Sequence, residues 1–445
     1  MKKLKNLSES DFLKLFLGAF STAFLIAALV VPDRGQMITG LWQILSQPAK
    51  IPTSCFAVGG YAGTLLNMAL VGYVCLGLYV AFGAEMNAVA TLASVLTIGF
   101  GSWGINILNI WPTILGVVLY CAVKKQPLKG SVTAMLFSTG IAPLVTDLMV
   151  RYPGAEVVGF NPLGLLLGIA VGLFIGFLVP AGLSHSPLVH KGYDLYSAAL
   201  PVGMIAFLMQ AVLYKTMGVA LPSAPGAETL KLGSRMFANT FCILLYGCAI
   251  LTALLMGCTP KKYWDFISSG KRVTSVSASL GTDVFLMNVG VFGLFILGYY
   301  NLVGASFNGV TFGVMFCMLS TCNSGSHPLN TWPMLLGYIV GAFVCERIAG
   351  PLGGTYVHFI ASQGILVGAC YANGLSPVVD KYGWVLGFAL GLGHFLLVTS
   401  VPLMHGGFCL YNGGFTAALI CLLFMPTVEN LLPGKEERAA KKLAK

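Results

Sequence analysis

Asn-x-Trp-Pro occurs twice in this chain, at Asn109-Ile110-Trp111-Pro112 and at Asn330-Thr331-Trp332-Pro333, 221 positions apart. Each copy follows a run of small polar residues: Gly101-Ser102-Trp103-Gly104-Ile105-Asn106 before the first, Cys322-Asn323-Ser324-Gly325-Ser326-His327 before the second. An Asn before a Trp-Pro pair supplies a capping acceptor and a proline for the first turn of a helix. Such a helix start offers free N–H groups and a partial positive charge, chemistry suited to a carboxylate, another anion or a polar carbonyl. The expected contact set is Asn106, Asn109, Trp111, Asn323, Ser324, Ser326, His327, Asn330 and Trp332. The same residues would also serve as ordinary turns between two full membrane crossings, with the tryptophans as interfacial anchors.

The elements that must carry these residues are set by composition. Of 445 residues 57% are hydrophobic and 9% charged, far below the quarter that a water-soluble surface needs. The chain is therefore expected to be an all-α, polytopic integral membrane protein. Soluble catalytic domains are excluded, and the net charge of +10 reads as an orientation signal between apolar runs, with no nucleic-acid partner. Twelve scattered cysteines without a Cys-x-x-Cys pair indicate neither a zinc site nor a disulfide framework. No metal or cofactor is expected. There is no Gly-x-x-x-x-Gly-Lys-Ser/Thr sequence for a nucleotide-driven pump.

The internal repeat decides the architecture. A shift of 221 aligns residues 50–116 with 271–337 without a gap, with 22 of 67 positions identical, among them Asn67/Asn288, Asn87/Asn308 and Gly104/Gly325. With small slips the register continues: Gly140-Ile141 aligns with Gly364-Ile365, and Leu195-Tyr196 with Leu410-Tyr411. Each half contains seven apolar segments, the fifth spanning about 129–149 and 352–372. An odd number sends the second half into the membrane from the opposite side, a 7+7 inverted repeat. The expected divisions are a first repeat at 1–217, an extracytoplasmic linker at 218–235, a second repeat at 236–430 and a basic cytoplasmic tail at 431–445.

Charge supports this arrangement, because Lys and Arg concentrate in cytoplasmic loops. With both termini inside the cytoplasmic (plasma) membrane, 18 of the 25 basic residues fall inside. The loop after the first segment of each half carries Arg34 and Lys50 in one copy but Lys261, Lys262, Lys271 and Arg272 in the other. Inverted repeats place a solute site near the midplane, marked by short or Gly/Pro-broken segments at matching positions. Segments 3/4 and 10/11 fit, as broken or re-entrant pieces. A second candidate pair is Ser138-Thr139-Gly140 and Ser362-Gln363-Gly364, for which close helix packing competes with a pathway role.

Ionisable residues within apolar segments are costly and usually functional. Asp283, His358 and His394 have no ionisable counterpart in the other half, which suits a coupling site for H⁺ or Na⁺ and equally suits histidines that bond a neighbouring helix.

Over its full length the pattern resembles a bacterial family of polytopic membrane proteins known as a domain of unknown function, which implies membrane location and little about substrate. The stretch Gly407-Phe408-Cys409-Leu410-Tyr411-Asn412-Gly413-Gly414 is similar to a Tyr/Phe-Asn-Gly turn of urea transporters, although that family's Leu-Pro-x-x-Thr-x-Pro-Phe motif is missing. The combined expectation is a secondary transporter for a small polar or anionic solute, surrounded by lipid, with homo-oligomerisation left open. The alternative is a passive, urea-channel-like channel. A membrane-embedded enzyme is disfavoured, since no paired carboxylates, metal cluster or nucleophile motif appears.

Overall fold

A computed structural model describes residues 7–48, 50, 53–223 and 235–438. Most of the expected 218–235 linker and the two extreme termini, with Lys2, Lys3, Lys5, Lys441, Lys442 and Lys445, lie outside the described residues. Among the described residues all regular structure is helical. Nine helices are long and apolar enough to cross a membrane, and four apolar helices are shorter.

Eighteen helices matter here. The first nine are α1 (Glu9–Val30), α2 (Met37–Ser46), α3 (Cys55–Ala81), α4 (Ala88–Phe100), α5 (Trp111–Lys124), α6 (Val132–Ser138), α7 (Ala142–Val150), α8 (Pro162–His190) and α9 (Ala199–Gln210). The second nine are α10 (Arg235–Leu255), α11 (Pro260–Ser268), α12 (Thr282–Leu302), α13 (Gly309–Leu319), α14 (Pro328–Ala349), α15 (Gln363–Ala372), α16 (Ser376–Tyr382), α17 (Trp384–Val398) and α18 (Asn412–Leu431). Matching sequence makes matching caps. Asn87 accepts from Ala90 N at 3.0 Å to start α4, and Asn308 accepts from Thr311 N at 3.0 Å to start α13, each satisfying a backbone donor that the helix itself leaves free.

α4 and α13 are the innermost pair, almost wholly buried. With 13 and 11 residues they are only about 16–20 Å long, short of a hydrocarbon core of about 30 Å. They pack against each other in opposite directions. Gly99 at the C-terminal end of α4 faces Gly313 near the start of α13, while Thr91 near the start of α4 accepts from Asn323 beyond the end of α13 at 3.4 Å. A Cβ on Gly99 would lie 2.7 Å from the Gly313 carbonyl, so only glycine allows this backbone approach.

Contacts between loops sort the chain into two ends. At one end Glu9 accepts from Ser275 and Ser277 (3.0 and 2.6 Å), Ser10 accepts from Met86 N (2.9 Å), Lys191 pairs with Glu429 (2.6 Å), and Arg438 donates to Tyr382 O (2.7 Å). At the other, Lys50 donates to Pro222 O (2.7 Å), Gly309 N to Ser54 (2.9 Å), Tyr152 to Leu213 O (2.8 Å), and Arg235 to Ala305 O (3.1 Å). The loops that follow α1 and α10 therefore lie at opposite ends.

Two expectations about the fifth segment are corrected. In the second half that segment runs from Gln363 to Tyr382, about ten residues later than 352–372, because residues 350–362 form an irregular, mostly exposed loop. The structural partner of Gly140-Ile141 is accordingly Gly374-Leu375, not Gly364-Ile365. Both pairs sit in a one-turn 3₁₀ break, Thr139–Ile141 and Asn373–Leu375, followed by a proline that opens the next helix, Pro143 in α7 and Pro377 in α16. Proline cannot donate to the preceding turn, so the helix must restart there.

Candidate functional site

The polar run before each Asn-x-Trp-Pro folds into a clamp held by four asparagine bonds at positions 221 apart. Asn67 donates to the carbonyls of Gly101 and Ile105 at 2.7 and 2.9 Å, and Asn288 to those of Cys322 and Ser326 at 2.8 and 2.9 Å. Asn109 accepts from Asn106 N at 2.9 Å and donates to Gly104 O at 3.1 Å; Asn330 accepts from His327 N at 2.9 Å and donates to Gly325 O at 3.0 Å. These bonds satisfy the backbone groups that a broken helix exposes, as non-helical chain buried in apolar surroundings requires.

Of the nine residues expected to gather at one site, seven divide between these two clamps, at opposite ends of the α4/α13 pair. Asn106 and Asn109 belong to the first. Ser326, whose hydroxyl lies 3.1 Å from that of Ser376, His327 and Asn330 belong to the second. Asn323 accepts from Ser277 N at 2.9 Å, and Ser324 is half-buried beside it. The two tryptophans point away from both. Trp111 is exposed on the outer surface, and Trp332 stacks on Trp384 with centroids 5.9 Å apart, in an apolar surface groove with Phe295 and Leu302.

The ion-coupling expectations are placed as follows. Asp283 pairs with Lys262 at 2.7 Å where α12 begins, at the end of the bundle. The expectation of His358 inside an apolar segment is corrected, since it lies exposed in the irregular 350–362 loop. His394 is fully buried in α17 with both ring nitrogens occupied, Nδ1 2.6 Å from the Tyr338 hydroxyl and Nε2 2.8 Å from Gly413 O. Nε2–H donating to the carbonyl and Nδ1 accepting from the tyrosine satisfies a neutral ring.

The centre is occupied by residues outside the expected set. Each 3₁₀ break receives a backbone bond from the other half, Leu195 N to Gly374 O at 3.0 Å and Leu410 N to Gly140 O at 2.9 Å. The following tyrosines lie on those glycines: a Cβ on Gly374 would be 2.6 Å from Tyr196, and one on Gly140 would clash with Tyr411. The Tyr196 hydroxyl lies within 3.3 Å of Cys317 O, Cys370 O and Asn373 Oδ1, whereas the buried Tyr411 hydroxyl has no hydrogen-bond partner. The identity of Leu195-Tyr196 with Leu410-Tyr411 was the sequence signal for this pair.

A polar cleft of about 460 Å³ opens at the end bearing the first clamp, lined among others by Gln43, Gln47, Lys50, Thr53 and Arg151. Its inner wall continues into a small recess at Cys55, Gly104 and Asn106. Arg151 is neutralised by a buried, two-pronged bond to Asp147 (2.6 and 2.7 Å), so Lys50 supplies the net charge of the cleft. Burial, and then the Arg151 charge, hold the Lys50 ammonium below its ordinary pKa. At the second clamp His327 is buried, with the Phe266 ring 5.1 Å from its own. No group of three or more His, Cys, Asp or Glu that could hold a metal occurs among the described residues.

The all-helical architecture of the described residues, with nine apolar helices of membrane-crossing length among them, is that of a polytopic membrane protein. The chain matches the family described as protein of unknown function (DUF1576) over residues 33–215 and 262–430, most of both halves, and belongs to that family. No curated protein and no solved structure matches it, and no likeness to urea transporters is shown.

Proposed function

We propose that this protein is a secondary transporter that moves a small polar or anionic solute by alternating access between two inverted seven-segment halves. The observation that carries the reading is the unequal state of two matching clamps. The one at Asn106 borders a polar cleft with Lys50 at its wall, and the one at His327 is buried under Phe266. Two matching gates at opposite ends, one bordered by a polar cleft and the other packed against an aromatic ring, suit one half-cycle of such a carrier.

Several contacts support inverted duplication. α4 and α13 pack antiparallel, the asparagine clamps repeat at a constant spacing, and each half donates one backbone bond to the other's 3₁₀ break. The end that gathers Glu9 and Arg438 also gathers Lys191, Lys262, Arg272, Lys381 and Lys435, which favours a cytoplasmic location for it in the plasma membrane. The opening at the other end then faces outward.

The test is uptake into proteoliposomes from a panel of small carboxylates and amides. Saturable uptake with counterflow, in which unlabelled solute inside drives labelled solute inward, is the expected result. Non-saturating equilibration without counterflow would replace the carrier with a channel.

A further inference from the structure

The two clamps share a backbone design and differ in the chemistry at its edges. In the first, the remaining amide hydrogen of Asn109 goes to the Thr146 hydroxyl at 2.9 Å, and the residue at the head of the clamp is Asn106. In the second, the amide of Asn330 reaches both carboxylate oxygens of Asp380 at 3.2 and 3.3 Å, and the head residue is His327. Thr146 and Asp380 occupy corresponding places, each in the helix that restarts after the 3₁₀ break. One clamp thus holds no titratable side chain and its counterpart holds two.

Neither of those two groups is fully partnered. His327 is 3% exposed and its Nδ1 has no hydrogen-bond partner. Asp380 is 8% exposed and forms no ion pair among the described residues; its carboxylate accepts two long bonds from one neutral amide. A buried carboxylate so weakly served is costly when ionised. Charges do surround it. Lys435 of the C-terminal segment and Arg272 of the loop after α11 act on Asp380 from beyond ion-pair distance, and Lys435 also acts on His327. Lys381 and Tyr382 adjoin it in α16, with the Lys381 ammonium donating to Tyr193 at 2.6 Å. Tyr263 of α11 donates to Asn288 beneath the clamp.

We propose that Asp380, with His327 as a positioning group that acts through Asn330, is the proton-binding site that couples solute movement to a proton gradient; this rests on the carrier reading above. A proton fits better than Na⁺. Asn330 turns its N–H₂ toward the carboxylate, so the site lacks a second oxygen from that side chain, and Lys435 and Arg272 repel a metal cation. A proton arriving from the end that bears residues 381–383 and 433–438 forms an O–H bond on Asp380 and cancels its charge. The neutral acid no longer attracts Lys435 and Arg272, and the segments carrying them are free to leave the second clamp. Loss of the proton to the same or the opposite side restores the attraction. The position is distinct from Asp283, His358 and His394.

The experiment is infrared difference spectroscopy of the full-length protein in lipid, between about pH 8 and about pH 5, a range in which imidazole and perturbed carboxyl groups titrate. Wild type is expected to show the carbonyl band of a protonated carboxylic acid in apolar surroundings. Asp380→Asn should remove that band, and His327→Asn should keep it while moving its midpoint. Asp380→Thr, which installs the residue type of the first clamp, serves if the amide variant fails to fold. A band unchanged in both Asp380 variants overturns the proposal. In proteoliposomes, Asp380→Asn should abolish the rise in accumulation that an imposed pH gradient produces over the level reached without one. Undiminished proton-driven accumulation would overturn the coupling role and leave the carrier reading standing. Absence of any wild-type uptake beside a band lost in Asp380→Asn would overturn the carrier reading and leave the proton site.

Discussion

Cys317 Sγ lies 3.9 Å from the carbonyl oxygen of Leu96, and these two residues are 221 positions apart, the spacing of the repeat. The contact joins two positions that the sequence repeat makes equivalent. Around this point α4 and α13 run in opposite directions, and the polar turns that end them diverge toward opposite ends of the bundle. Nothing at the crossing is loose, since both helices are buried along their length.

The two central tyrosines should respond differently to loss of the hydroxyl. Tyr196→Phe removes the partner of Cys317 O, Cys370 O and Asn373, and should cost about 1–3 kcal/mol. Tyr411→Phe removes a hydroxyl with no partner and should leave thermal stability in detergent unchanged or slightly raised. Equal losses in both would contradict the described centre.

Asn67→Ala and Asn288→Ala each leave two buried carbonyls unpaired. Each should lower stability by about 2–4 kcal/mol, at one to two kcal/mol per orphaned group. Melting of the purified variants measures this. A change below about 0.5 kcal/mol in either, the level of an ordinary surface substitution, would mean that its clamp is not held as described.

Lys50 gives a pH dependence with a definite sign. Burial depresses its pKa, so its positive charge is lost at lower pH than that of a free lysine. Capture of an anionic solute from the cleft side should weaken as pH rises into the alkaline range, and Lys50→Ala should weaken it at neutral pH and converge with wild type once the ammonium has lost its proton. Lys50→Arg keeps its charge throughout, so its concentration dependence of uptake should stay flat with pH. A wild type as flat as that variant would remove Lys50 from the entry path.

His394→Leu strands the Tyr338 hydroxyl and the Gly413 carbonyl, and should cost about 2–3 kcal/mol. Its effect on proton-driven accumulation should be no larger than its effect on counterflow, because both ring nitrogens serve packing. His358→Ala, in an exposed loop, should change neither stability nor uptake. Selective loss of proton drive in either variant would return the coupling role to that histidine.

The amino-acid sequence by itself determined the membrane class, because 57% hydrophobic against 9% charged residues leaves no soluble alternative, and it determined where the clamps fall. Asn, Gly and Pro impose caps and breaks through their own backbone chemistry, and a repeated spacing carries them into both halves. Fifth-segment register was not legible in this way: Gly140-Ile141 resembles both Gly364-Ile365 and Gly374-Leu375, and only the backbone bond that Gly374 receives from Leu195 and the proline three residues after the glycine separate them. Which side chains meet was decided by tertiary structure alone. Whether Trp332 faces the interior or stacks on Trp384 at the surface, and whether Asn330 bonds a hydroxyl or the Asp380 carboxylate, depends on which distant helix lies alongside. Nearly every segment here is apolar on all sides, so periodicity carries no record of its neighbours.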